Sequence, residues 1–229
     1  MSDNKFLKEL MGTIIGNKDM PKVQVEREIA PILDIFIKSV FNKLAEKGKI
    51  DEGNYILIGA EFPFDNEENS KNKRENSKNK RSKNIDYLLL NEDKNILYFV
   101  ELKTDSNSFC IKQYNRYKKV IKRIENKSAE FLYTFLGRLT NPKYKEYKEK
   151  IVKKLPEYKW SQIKQAKLVY LAPKRIKDRK WGKENKDAIK EIEGNNILLN
   201  FKDMPIIELN TFSNEWNIIR RYLKELDGN

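Results

Sequence analysis

Between Pro21 and Leu44 the apolar positions Val25, Ile29, Leu33, Phe36, Ile37, Val40 and Phe41 recur every three or four residues, the period of a helix that buries one face. Pro31 inside this run predicts a kink or a division, because proline lacks the amide hydrogen and crowds the preceding turn. Tyr55 to Phe64 (YILIGAEFPF) has the β-branched and aromatic composition of a strand. A strongly polar segment, Asp65 to Asn84, follows. It holds a tandem heptapeptide, NSKNKRE at Asn69 to Glu75 and NSKNKRS at Asn76 to Ser82. With almost no apolar side chain to offer a core, it is expected to be a disordered basic loop between the first two strands.

Two further apolar runs, Ile85 to Leu90 and Tyr98 to Asp105, flank the polar turn Asn91 to Asn95 and predict an antiparallel hairpin. Helices are expected over Ser108 to Ile124, Ala129 to Gly137, from Asn141-Pro142 to near Leu155-Pro156, and Trp181 to Glu193. Lys167 to Ala172 (KLVYLA) reads as a buried strand closed by Pro173. Asn196 to Leu199 and Ile206 to Leu209 are short strand candidates. Ser213 is placed to cap a last amphipathic helix carrying Trp216, Ile219, Tyr222 and Leu223. Helix, three strands, helices, strand and helix in that order predict an α/β fold, a mixed central sheet of about four strands flanked by helices, in a single domain over residues 1–229.

The hairpin is where the pattern breaks. Glu101 and Lys103 stand two apart in an otherwise apolar strand, so both side chains point to one face, and Asp86 occupies the strand that folds back beside them. Charges in such a setting need partners, and two carboxylates with a lysine invite a divalent metal. The rest of the composition narrows the chemistry. The chain has no histidine, which excludes a Ser-His-Asp triad, a histidine-metal site and a histidine general base. The single cysteine, Cys110, excludes an internal disulfide and an all-cysteine metal centre. The formal charge of +13 favours a polyanionic partner such as nucleic acid, although a lysine-rich solvated surface gives the same sum. No stretch has the length and apolarity of a membrane span or a signal-peptide core, so a cytoplasmic protein with no membrane partner is expected.

Asp86, then Glu101-Leu102-Lys103-Thr104-Asp105 continuing to Ser108, and Gln113 with Tyr117 on the next helix, together with this order of elements, resemble the PD-(D/E)XK nuclease superfamily, in its exonuclease-like branch marked by a Q-x-x-x-Y helix. The similarity runs from Glu61 to Tyr117. It implies a restriction-endonuclease-like core and Mg²⁺ or Mn²⁺ held by Asp86 and Glu101, with the Leu102 carbonyl as a further ligand. It also implies that Lys103 acts on the attacking water, and that Gln113 and Tyr117 contact nucleic acid or hold Lys103. The proline of the family's first element is replaced here by Ile85, a position that makes no ligand.

Many nucleases of this superfamily add a glutamate from the first helix, and Glu26 and Glu28 compete for that place. At 100° per residue Glu26 falls within the apolar sector of Ile29, Leu33 and Ile37, and is preferred. Glu61, on the first strand, is placed behind the metal or Lys103. Lys112, Arg116, Lys119 and Arg123 form a basic stripe along one helix face, suited to phosphates. Tyr144, Tyr147, Tyr158 and Trp160 are interleaved with lysines, a pattern that suits either base stacking or a helix with its tyrosines turned inward. The expectation is a metal-dependent nuclease acting on DNA. A non-catalytic nucleic-acid-binding or scaffold protein on the same fold, and an RNA-directed nuclease, are the alternatives.

Overall fold

The structure is a computed structural model that describes residues 4–16, 25–64, 83–105, 108–139, 142–174, 183–195, 197–209 and 211–227. Most of the polar segment with the tandem heptapeptide therefore lies outside the described residues. Five strands form one mixed open sheet in the order β1-β2-β3-β4-β5: β1 Tyr55–Phe64, β2 Lys83–Asn91, β3 Ile96–Leu102, β4 Gln165–Leu171 and β5 Ile197–Leu199. Helices flank it, giving the α/β class expected from the pattern. By internal contacts the chain falls into two compact units. One comprises Met1–Tyr55, Glu101–Ile111 and Val169–Asn229, the other Ile56–Val100 and Lys112–Leu168.

In the second unit β2 and β3 pair antiparallel, with Tyr87 opposite Val100, Leu88 opposite Phe99, Leu89 opposite Tyr98, Leu90 opposite Leu97 and Asn91 opposite Ile96. Asn91 is fully buried and makes the turn: its side-chain oxygen accepts the Lys94 amide at 3.1 Å, and Asn95 takes the left-handed conformation with φ 52°. Every residue of β3 is buried, as a strand covered on both faces requires. Helices α3 (Ile111–Asn126), α4 (Glu130–Gly137), α5 (Pro142–Lys154) and the short α6 (Glu157–Trp160) follow. Tyr147 of α5 donates its hydroxyl to the Ala60 carbonyl at 2.7 Å, and Lys154 donates to the Leu57 carbonyl at 2.9 Å, so α5 is tied to the backbone of β1. Phe62 stacks on the fully buried Trp160 with ring centroids 6.0 Å apart.

In the first unit the buried side chains of α1 (Lys5–Gly16), Met11, Ile14 and Ile15, serve a helix that lies against α8 (Ser213–Glu225) and α2 (Val25–Glu46). Phe36 of α2 and Trp216 of α8 bring ring centroids to 5.1 Å, and the Trp216 indole donates to the Pro205 carbonyl at 2.9 Å. The final residues of β4 pair parallel with β5, Val169 opposite Ile197 through Leu171 opposite Leu199, with α7 (Lys183–Asn195) as the intervening helix. Asp227 closes this end. One carboxylate oxygen accepts the Lys174 amide at 2.8 Å and the other the Lys202 amide at 2.6 Å, joining the exit of β4 to the 3-10 turn Phe201–Asp203.

Three local expectations are corrected. Pro31 does not divide α2, which runs unbroken for 22 residues. The bond proline forfeits is to Arg27, near the helix start and on an exposed side. Ser213 does not cap α8: the preceding Phe212 occupies the cap position in the left-handed region (φ 68°), with no side-chain cap. The Ser213 hydroxyl instead accepts the Leu209 amide and donates to the Leu209 carbonyl, at 2.6 and 2.7 Å. That engagement occupies both backbone groups of Leu209, and Ile206 to Leu209 is accordingly not a strand. α1 has no counterpart among the expected elements. Among the described residues no helix is long and apolar enough to cross a membrane.

Gly59 is the position on β1 where a side chain has no room, since a Cβ there would stand 2.4 Å from the Tyr147 hydroxyl and 3.2 Å from the ring carbon that bears it. Gly59→Ala is therefore expected to destabilise the fold by about 1–3 kcal/mol through overpacking. Removing the hydroxyl with Tyr147→Phe should recover part of that loss. Urea denaturation of the four members of the cycle measures the coupling, and an additive pair would show that α5 does not sit on Gly59 as described.

Candidate active site

The first unit holds Glu26, Glu101, Leu102 and Lys103 of the anticipated residues. Glu101, the penultimate residue of β3, is 1% exposed, and Lys103, just past the strand end, is 5% exposed. Two residues of extended chain put both side chains on one face, and the Lys103 ammonium donates to Glu101 Oε1 at 2.5 Å. The Lys103 amide donates to the Leu171 carbonyl at 2.8 Å, which holds the backbone while the side chain is paired. From the first turn of α2, Glu26 brings Oε2 to 3.7 Å from the same ammonium, with its side chain about one-third exposed. Glu28, its competitor, is exposed. The helical projection explains the difference: Glu26, Ile29 and Leu33 share one side of α2, and burial of Ile29 and Leu33 turns Glu26 inward. Leu102, between the two charged residues, is fully buried.

The Ser108 amide and hydroxyl both donate to the Asp105 carbonyl, at 3.1 and 2.6 Å. Phe109 then packs on Tyr170 with ring centroids 5.7 Å apart. Cys110 is exposed and not in a disulfide.

The second unit holds the other anticipated residues. Asp86 is half-buried on β2, between the buried Ile85 and Tyr87. On α3 the Gln113 amide donates to the Tyr117 hydroxyl at 2.9 Å, across one helical turn. Tyr117 is fully buried, with the Phe64 ring at 5.5 Å, so the pair forms a unit anchored on β1. Glu61 is exposed and takes the left-handed conformation with φ 48°, uncommon for a residue within a strand. Its carboxylate accepts the Asn84 amide at 3.1 Å, joining β1 to β2.

Lys112 and Lys119 are exposed and Arg116 is half-exposed, while Arg123 lies over the Phe131 ring, 3.9 Å from its centroid. Of the interleaved aromatics, Trp160 is buried and Tyr147 is committed to the Ala60 carbonyl. Tyr158 is exposed. The Phe64 partner of Tyr117 had no signal in the spacing, because it depends on how α3 meets β1.

Mg²⁺ and Mn²⁺ prefer oxygen ligands, keep several waters and need only one or two carboxylates. Glu26 and Glu101, two carboxylates converging on one cationic group, supply that donor chemistry. Among the described residues no group of three or more histidine, cysteine, aspartate or glutamate side chains is gathered as a metal site. Comparison of the chain with models of known protein families, with curated proteins and with solved structures finds no match.

A buried ion pair loses heavily when one member is removed, because the other is left desolvated. Lys103→Met is expected to lower unfolding stability by about 3–5 kcal/mol, while Glu28→Gln, at an exposed position, should change it by less than about 0.5 kcal/mol. Guanidinium denaturation of the two variants beside the wild type decides the matter. A loss under about 1 kcal/mol for Lys103→Met would mean that Glu101 has no need of the ammonium.

Proposed function

We propose that this chain is a metal-dependent nuclease that hydrolyses phosphodiester bonds in DNA, with Glu101, the Leu102 carbonyl and Glu26 as the groups that hold Mg²⁺ or Mn²⁺ and Asp86 as the acidic residue that the resemblance adds to the chemistry. The observation that carries the reading is the buried Glu101–Lys103 pair with Glu26 beside it, at the end of an otherwise apolar strand. A pair kept for stability alone is a poor use of such a position, since burial of two charges seldom repays its desolvation. The hard cation, when bound, supplies polarisation of the phosphate oxygens. Lys103 brings a fixed positive charge and N–H donors, suited to orient the attacking water and to offset charge that builds on phosphorus-bound oxygen. Glu101 holds that ammonium in place, and Gln113, positioned by the buried Tyr117, offers a polar group for contact with the strand.

A non-catalytic nucleic-acid-binding protein on the same fold is the second reading. It is favoured by an ammonium whose charge two carboxylates already meet.

Incubation of end-labelled linear DNA and closed circular DNA, single- and double-stranded, with Mg²⁺, Mn²⁺ or EDTA separates the two. The nuclease reading expects metal-dependent cleavage that falls at least about 100-fold in Asp86→Asn and in Glu101→Gln, a magnitude typical of losing one charge-stabilising group. Cleavage retained in both variants overturns the assignment of residues. Salt-sensitive binding without cleavage under any metal supports the second reading, and cleavage confined to RNA would change the substrate.

A further inference from the structure

Within the second unit, the end of α3 and the outer side of α4 enclose a groove of about 260 Å³. Arg123, Lys127 and Arg138 line it, with Ser128, Phe131 and Thr134 between them. Lys127 and Arg138 are exposed, and neither belongs to the stripe that begins at Lys112. One acidic group, Glu130, opposes the three cations; it sits in the first turn of α4, where a carboxylate meets the positive end of the helix. The Arg123 guanidinium is held by the Phe131 face, which fixes a charge that would otherwise wander on a long side chain. Ser128, 8% exposed, accepts the Glu130 amide on its hydroxyl oxygen at 3.4 Å and still carries a donor hydrogen. Each cation taken alone is an ordinary helix-end residue. Three converging on one concavity that also holds hydroxyl groups make a field that attracts anions.

The spacing indicates more than one anionic group. Lys127 precedes α4 and Arg138 follows it, so the two cations flank a helix of 8 residues, about 12 Å long at 1.5 Å per residue. Arg123 borders the groove from the last turn of α3. We propose that this groove binds successive phosphate groups of a nucleic-acid strand, a contact that shares Arg123 with the α3 stripe and adds Lys127 and Arg138 to it. The strand as occupant rests on the nuclease reading; the phosphate affinity does not.

The test is binding in EDTA, where cleavage plays no part. Fluorescence anisotropy with a labelled oligothymidylate is followed across a salt series for the wild type, Lys127→Gln, Arg138→Gln and the double variant. Thermal melts by circular dichroism accompany each, and both positions are exposed. The slope of log K against log salt is expected to shrink by about 0.7 for each single variant and about 1.4 for the double, the single-strand value per phosphate contact. Lys5→Gln, exposed on α1 of the other unit, should leave the slope unchanged.

An unchanged slope in the double variant overturns the proposal. Inorganic tripolyphosphate serves as the second arm. Displacement of the oligonucleotide from the wild type, weakened in the double variant, supports a shared phosphate site. Tripolyphosphate binding that depends on Lys127 and Arg138 while the oligonucleotide slope does not would overturn the strand in favour of a free polyphosphate. If the DNA cleavage experiment fails and the slopes still fall, the groove stands and the nuclease reading does not.

Discussion

An ammonium buried to 5% exposure at the end of β3 constrains the whole first unit. Such a group is tolerated only when paired, and the partner within reach along an extended strand is the residue two positions back, Glu101. The pairing requires that Lys103 leave the strand in a defined direction, and its amide bond to the Leu171 carbonyl enforces that direction. The same charge draws Glu26 from the opening turn of α2, whose orientation is set in turn by Ile29, Leu33, Phe36 and Ile37 against the core. Backbone pairing, apolar burial and electrostatics therefore agree at one point. A position determined from three directions can hold charged groups in fixed geometry, which is what chemistry on a phosphate diester would ask of it.

Much of this architecture was legible because the relevant signals are local. The hairpin could be read from two apolar runs and a turn rich in Asn and Asp, and the buried Asn91 that bonds the Lys94 amide shows why the turn closes there. β1 and the helix α5 likewise follow their patterns closely. What escaped depended on distant partners. α1 contains Gly12 and Gly16, which lower its helix propensity although its apolar residues keep a helical period; its helicity is secured by packing on α8. Ser213 has the residue type of a cap, yet its hydroxyl found both backbone groups of Leu209. Residue type states what a side chain is able to do, and geometry selects among the options.

The candidate site divides along the same line. Period two placed Glu101 and Lys103 together, and the helical projection separated Glu26 from Glu28. Both are rules of a single element. The Gln113–Tyr117 bond is also internal to one helix, and the structure adds the Phe64 ring that fixes the tyrosine. Glu61 illustrates the limit. Its left-handed backbone and its bond to Asn84 arise from the way β1 meets β2, and strand composition carries no trace of them.

Net charge is the feature most easily overread. The excess of +13 is a sum over cations that do different things. Lys103 is buried in an ion pair, Lys154 bonds the Leu57 carbonyl, and Lys43 bridges Glu46 within α2. Arg220 donates to the Met204 carbonyl at 2.6 Å in a partly buried setting that lowers its pKa through desolvation. These side chains support the fold and contribute little to capturing an external anion. What distinguishes Arg123, Lys127 and Arg138 is their convergence on one groove from two helices. Convergence raises local potential where a uniform scatter of lysines does not, so the argument for a polyanionic partner rests on arrangement, with the total charge as its permissive condition.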